Sequence, residues 1–419
     1  MNKVLFITYY WPPSGKASLH WPLKMIKYLP EFGWQPIVLT VNEDTFSAND
    51  NSLIKEVPDN LEVIKTRTFE PFDIYKKFTG KKKDDQLIAS ETISTTNKKL
   101  SHRISIWIRM NLFIPDARIG WYFFARRAGR KLLKTKGINA IISIGPPQTT
   151  HLIANNLSKK FNIPHIPVFI DPWVDIIYYR NFRRSKITLA IDNYLEKKVL
   201  YNSTYSIFVT ETMKNDYIKK YSFLKDKSRV LYWGYNEEDF EGLPSAIKNE
   251  EIIVHAGNIF DFQNIPALWE NIKKENDKGR NLKLKFIGTV GPAIIKSIEA
   301  AGISKFTEYA GFLPYKEMLR ELNNASYLLV CATEPRHVPG KLFEYLRIGK
   351  PIIAFGNDND EVKHILSETH SGMIFRYDDN KSDFFNKEKN YARNLDSIKL
   401  FDRKSIAFSL SKILDSIVK

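Results

Sequence analysis

At 419 residues, with 43% hydrophobic and 26% charged residues, the chain has globular composition and length for two or three domains, which excludes a disordered or fibrous protein. Its single cysteine, Cys331, excludes an internal disulfide framework and any Cys-x-x-Cys metal site, and points to a reducing compartment and chemistry without thiolates. The formal net charge of +16 is unevenly placed, since residues 76–136 hold 16 Lys/Arg against 4 Asp/Glu.

The opening run KVLFIT (3–8) meets Trp11-Pro12-Pro13 without a small-residue cleavage site, so it reads as a first strand rather than a signal peptide. Nowhere does an apolar run reach the roughly 18 residues of a spanning helix. YYWPPSGKASLHW (9–21) looks like a phosphate loop but has Tyr10 where a Walker A loop needs Gly and Ala17 where it needs Ser or Thr. It therefore reads as a strand-to-helix loop, with Leu23, Ile26, Lys27 and Leu29 in helical pattern behind it and Gly15 and Lys16 as candidate phosphate contacts. QPIVLT (35–40) and EVIKT (62–66) follow as strands, and residues 78–101, rich in Lys, Thr, Ser and Asn, read as a mobile basic loop.

Beyond it, Trp107, Phe113, Trp121, Tyr122, Phe123 and Phe124 interleave with Arg109, Arg118, Arg126, Arg127 and Arg130. Aromatic bodies beside guanidinium groups suit an anionic membrane surface, where rings sink and cations meet phosphate. An amphipathic helix packed on its own domain with a solvated basic face is the plainer alternative. No nucleic-acid-binding motif accompanies the charge, so no nucleic-acid partner is expected. AIISIG (140–145), HIPVFI (165–170) and YSIFVT (205–210) complete a first series of strands.

Residues 235–251 lack helical or strand period and mark a hinge. A second series follows, EIIVHAG (251–257), LKLKFIG (282–288), YLLVCA (327–332) and PIIAF (351–355), and the chain closes on a helical pattern. Alternating strands and helices predict an α/β fold of two doubly wound Rossmann-like domains facing across a cleft. The expected boundaries are 1–240 and 250–399, with a C-terminal helix at 400–419 packing back toward the first domain. Neither domain opens with Gly-x-Gly-x-x-Gly, so no dinucleotide cofactor is expected.

In VPGKLFEYLRIGKPIIAF (338–355), Pro339 and Gly340 open a helix whose first turn carries Lys341, with Glu344 on the same face. A lysine at the positive end of a helix dipole is misplaced unless an anion binds there, so amides, dipole and Lys341 would converge on a diphosphate. An exposed ion pair is the alternative. His20, His151, His255 and His337 are candidate acids or bases; His151, at a helix start after GPPQTT, is the best placed of them for an acceptor. Asp358 and Asp360 read as a helix cap, and no metal site is expected.

The run Gly-Lys-Leu-Phe-Glu-Tyr-Leu with the following Gly-Lys-Pro-Ile-Ile-Ala resembles the donor-binding segment of GT-B glycosyltransferases of family 4, the glycosyltransferase group 1 proteins. TYYWPPSG, FIPDARIGW (113–121), IGPPQTTH (144–151) and FIDPW (169–173) resemble a bacterial polysaccharide-assembly branch, and HAGNIFDFQN and YAGFLPYKEM resemble second-domain counterparts. The resemblance implies an enzyme moving a sugar from a nucleotide-sugar donor to a growing glycan, lipid-linked through polyprenyl diphosphate, for lipopolysaccharide, capsule or exopolysaccharide. It implies retention, no metal, and a cytoplasmic location on the inner membrane face; the competing reading is a non-catalytic GT-B protein binding a glycan or partner. Carried over, Lys341 contacts donor phosphates, Glu344 the ribose, Gly257 and Asn258 the phosphate loop, Gly311 and Phe312 the base, and Asp171 the reacting sugar. Where the family places a first glutamate, eight positions before Glu344, this chain has Arg336, so Arg336 and His337 join Gly340 and Lys341 as candidate donor contacts.

Overall fold

The structure is a computed structural model that describes residues 1–46, 49–69, 106–108, 110–176, 179, 182–245, 250–379, 384–385 and 392–418. The expected basic loop at 78–101 and Arg109 lie outside the described residues. The chain forms two compact units, residues 1–232 with 407–419, and residues 233–406.

In the first unit, β1 (Asn2–Ile7), β2 (Trp34–Val41), β3 (Glu62–Thr66), β4 (Ala140–Gly145), β5 (His165–Phe169), β6 (Ser206–Phe208) and β7 (Ser228–Val230) form one sheet in the order β3-β2-β1-β4-β5-β6-β7. Every pairing is parallel. Because helices cover both faces of such a sheet, its central strands read as continuous apolar runs; Val4, Leu5, Phe6 and Ile7 are all fully buried. The helices are α1 (His20–Tyr28), α2 (Tyr122–Thr135), α3 (Thr149–Phe161), α4 (Lys186–Asn202) and α5 (Glu211–Lys220). One core joins Leu5, Ile7, Ile37 and Ile141 of the sheet to Ala125 and Leu132 of α2 and Ile153 and Leu157 of α3.

The second unit repeats the plan with β8 (Glu251–Ala256), β9 (Leu282–Ile287), β10 (Thr307–Gly311), β11 (Tyr327–Cys331), β12 (Ile352–Phe355) and β13 (Gly372–Phe375), parallel in the order β10-β9-β8-β11-β12-β13. Its helices are α6 (Pro266–Asp277), α7 (Pro292–Ala300), α8 (Tyr315–Asn324), α9 (Lys341–Ile348), α10 (Asp360–Glu368) and α11 (Leu395–Lys399). The last helix, α12 (Arg403–Asp415), begins in the second unit and ends in the first, where the Trp34 indole donates to Asp415 Oδ1 at 2.8 Å and Phe408 meets Phe32 edge to face.

The ten strands expected from sequence are present within one or two residues of their ends. Three were not expected, β7, β10 and β13, and all three are edge strands with partly exposed residues. A strand covered on one side only has no continuous apolar run to announce it. In an open parallel sheet the strand order reverses beside the first strand of each half, and loops leaving the C-terminal ends there are the usual ligand position. Those loops carry most of the candidate residues.

Candidate active site

In the second unit three neighbouring strands end on left-handed glycines, Gly257 (φ +105°), Gly288 (φ +116°) and Gly311 (φ +67°). They interlock through the backbone, with Gly257 N–H donating to Ile287 O and Gly288 N–H to Gly311 O, each at 2.6 Å. A Cβ at Gly257 would lie 2.6 Å from Lys341 Nζ and displace the ammonium, and φ +105° disfavours any side chain there. The lysine thus lies across the bare backbone of the β8 loop.

Lys341 Nζ is 3.3 Å from His255 Nε2, while His255 Nδ1 is 2.9 Å from Leu329 O. A carbonyl can only accept, so Nδ1 carries the proton and Nε2 takes a hydrogen from the lysine. Burial, and next the Lys341 charge, hold His255 well below the usual imidazole range, which keeps it neutral. Burial also holds Lys341 down to about 8. The Cys331 thiol beside it is pushed up to about 12 by burial, so it stays protonated. The ammonium spends one hydrogen on His255 and keeps the other two. It begins α9, whose N-cap, Gly340, has no side chain; the Leu342 and Phe343 amides donate to Pro339 O and Gly340 O in a tight first turn.

One turn on, Glu344 Oε1 accepts from Tyr315 Oη at 2.9 Å. Burial raises its carboxyl above the usual range, opposed by the Arg403 charge and the Tyr315 hydrogen bond. Tyr315 entered the sequence reading only as a letter of YAGFLPYKEM, without a role, and Arg403 was not singled out; only folding brings them to Glu344.

The remaining second-unit candidates are less concentrated. Asn258 is exposed and its Oδ1 accepts from Thr289 Oγ1 at 2.5 Å, tying the β8 and β9 loops together. Phe312 is 89% exposed after β10, its ring face open. Arg336 is exposed. His337 Nδ1 accepts from Thr333 N at 3.1 Å, and burial holds its pKa down to about 4.

In the first unit, Gly15 and Lys16 lie in the loop after β1, and Asp171 is half-buried just past β5. The backbone after Asp171 is tied down, since Trp173 N–H donates to Tyr217 Oη at 2.9 Å and Val174 N–H to Glu196 Oε2 at 3.1 Å. Glu196 is itself fully buried and also receives Tyr217, Tyr221 and Lys220.

His151 corrects the expectation of an acceptor-side acid or base. It is fully buried, its Nδ1 is 2.7 Å from Ser143 Oγ, and the same hydroxyl is 2.7 Å from His165 Nε2. Burial holds both imidazoles low, His165 to about 3, so both are neutral. The His151 ring packs on Phe169, and a Cβ at Gly145 would stand 2.4 Å from its Nε2. Trp121 is the second correction. Expected in a membrane patch, it has no exposure, and its indole donates to Thr66 Oγ1 at 2.7 Å. Of its companions, Trp107 and Arg127 are exposed, whereas Arg126, with its guanidinium over the Tyr122 ring, and Arg130 are half-buried.

Residues 237–394 match the family model described as glycosyl transferases group 1. No curated protein matches the sequence. Solved structures similar to the chain include HepE of Anabaena in complex with UDP, at 12% identity and TM-score 0.63, with 99% of this chain and 100% of that chain covered. Sucrose-phosphate synthase of Thermosynechococcus elongatus has 13% identity and TM-score 0.59, with 99% of each chain covered. The lipopolysaccharide outer core galactosyltransferase WaaB in its apo form has 13% identity and TM-score 0.57, again with 99% of each covered. The fold is GT-B, and residues 237–394 carry the glycosyl transferases group 1 match.

Proposed function

We propose that the chain transfers a sugar from a nucleotide-sugar donor, held by the second unit, to a growing lipid-linked cell-surface glycan at the inner face of a membrane. The observation that carries the donor half is the seat of Lys341, with its ammonium across Gly257, one hydrogen on neutral His255, and the positive end of α9 beside it. A diphosphate there meets a cation, backbone amides and the positive end of a helix at once. As the bond from the anomeric carbon to the leaving oxygen breaks, negative charge grows on the diphosphate and positive charge on the sugar ring. Groups already aimed at the diphosphate stabilise that charge without reorganising, a contribution of several kcal/mol, so the reaction needs no metal.

Glu344, with Oε1 fixed by Tyr315, offers Oε2 to a ribose diol, and Phe312 offers an open ring face to the base. HepE, solved with UDP, makes a uridine nucleotide the first to try. The likeness to WaaB, an outer core galactosyltransferase, supports a surface-glycan acceptor; a role for Asp171 toward the reacting sugar and retention of configuration are parts of the same proposal.

Calorimetry with uridine, guanosine, adenosine and cytidine diphosphate sugars tests the donor half. One family of donors should bind, and Lys341→Ala should abolish the binding with the fold intact. Failure of every donor to bind sinks the proposal.

A further inference from the structure

Helix α4 exposes residues that ordinarily lie inward. Ile187 (73% exposed), Ile191, Tyr194 and Tyr201 fall at intervals of four, three and seven residues, which places them on one face. The unit's core takes the opposite face, through Thr188, Val199 and Leu200. Lys186, Lys197 and Lys198 are exposed beside the apolar stripe. The two carboxylates of α4 both turn inward, where Asp192 pairs with Arg184 and accepts from the Trp173 indole, and Glu196 is enclosed by Lys220, Tyr217 and Tyr221. The outer face therefore carries apolar groups and cations and no acid.

Both ends of the helix continue this chemistry. At the N-terminal end, Asn111 accepts from Ser185 N–H at 2.6 Å and donates to Arg183 O at 3.2 Å. That brings up the segment bearing Trp107 and Leu112, 51% and 61% exposed. At the other end the Tyr201 ring meets Phe223 edge to face, Lys227 lies over both rings, and the Arg229 guanidinium sits 4.4 Å from the Tyr205 centroid. From Ile187 to Tyr201 the stripe runs about 21 Å at 1.5 Å per residue.

We infer that this face docks the first unit on an anionic lipid surface, with the isoleucines and aromatic rings in the headgroup layer and the lysines on lipid phosphate. An interfacial surface pairs an apolar face with flanking cations, and the exposed side of α4 has both. Rings carrying cations suit the boundary between hydrocarbon and water. An α4 face with no acid of its own, flanked by Lys186, Lys197 and Lys198, complements a negative surface and disfavours a copy of itself. The inference deepens the membrane side of the proposed function and moves it away from α2, whose apolar residues largely serve the core.

The test is co-sedimentation of the full chain with phosphatidylcholine vesicles, with and without phosphatidylglycerol, at low and high salt and without any nucleotide sugar. Binding should require phosphatidylglycerol and weaken with salt. Lys197→Gln with Lys198→Gln should weaken it about 25-fold, at roughly fivefold for each cation lost. Ile187→Ser with Ile191→Ser should reduce it by at least as much, because burying each isoleucine is worth about as much as one such cation or more. All these positions are exposed, so circular dichroism and nucleotide-sugar binding should not change. Equal binding by the α4 variants, or loss only on substituting Arg127 and Lys131 of α2, overturns the inference. So does a dimer in sedimentation velocity that Ile187→Ser with Ile191→Ser disperses, since the face would then belong to a second copy. Vesicle binding without any nucleotide-sugar binding would leave this inference standing while removing the transfer proposal.

Discussion

Donor affinity should fall steeply above neutral pH, and Lys341 should be the cause. Burial holds its ammonium down to about 8, within reach of ordinary buffers. A diphosphate sugar keeps its charge across this range, so the lysine is the group that changes. If only the charged form binds donor, the apparent dissociation constant scales as one plus ten to the power of pH minus 8. That is a factor of about 1.1 at about pH 7 and about 11 at about pH 9, or tenfold overall. Stability without ligand should move the other way. An unfolded lysine titrates near 10.4, so between about 8 and about 10.4 the unfolded chain holds more protons and stability rises with pH. Calorimetry and urea titration at the two pH values measure both slopes. Lys341→Arg stays charged throughout and should flatten the affinity profile even if its longer fork binds less well. Constant wild-type affinity, or the same slope in the arginine variant, would refute the assignment.

Gly257→Ala places a methyl carbon 2.6 Å from Lys341 Nζ, which must shift, and forces a side chain into φ +105°, so it should weaken donor binding and cost about 1–3 kcal/mol in urea unfolding. Acid should destabilise the protein through its buried neutral imidazoles. His151, His165 and His255 titrate lower folded than unfolded, so stability is intact above about pH 6.5 and falls below it by about 1.4 kcal/mol per pH unit for each. His165→Asn should remove one such contribution from the slope of stability against pH; an unchanged slope would show that the residue is protonated in the fold. Glu196→Ala leaves two buried tyrosine hydroxyls and the Val174 amide without their acceptor, while Lys220 keeps Asp175, and should cost about 1–3 kcal/mol by chemical denaturation.

The central strands of both sheets were legible because a strand buried on two faces must be apolar along its whole length, as KVLFIT and YLLVCA are. The edge strands β10 and β13 were not, since β10 mixes exposed and half-buried residues and β13 has only four residues, all half-buried, too short a run to stand out. The α9 helix was legible from Pro339 and Gly340 at its start and its apolar stripe, whereas the anion read from the lysine in its first turn belongs to the proposal. Nothing comparable marked Tyr315, which reaches Glu344 from a helix 29 residues earlier.

Aromatic and basic residues show the limit most plainly. Trp121 and Trp107 stand in the same run of letters, yet one is sealed in the core and the other is open to solvent. The α4 face was written in the sequence at intervals of four, three and seven, but such a stripe normally marks the side turned to the core, and only packing shows that α4 turned its carboxylates inward instead. Periodicity along the chain thus determined by itself the two parallel sheets, their order of construction and the helix that starts at Lys341. Tertiary structure alone decided which side of each helix met water, and which distant groups met: Lys341 with His255, 86 residues apart, and Ser143 with both buried histidines. The physical reason is that local pattern reports how a segment can be buried, while the charge state of a buried group depends on neighbours that the chain supplies from elsewhere.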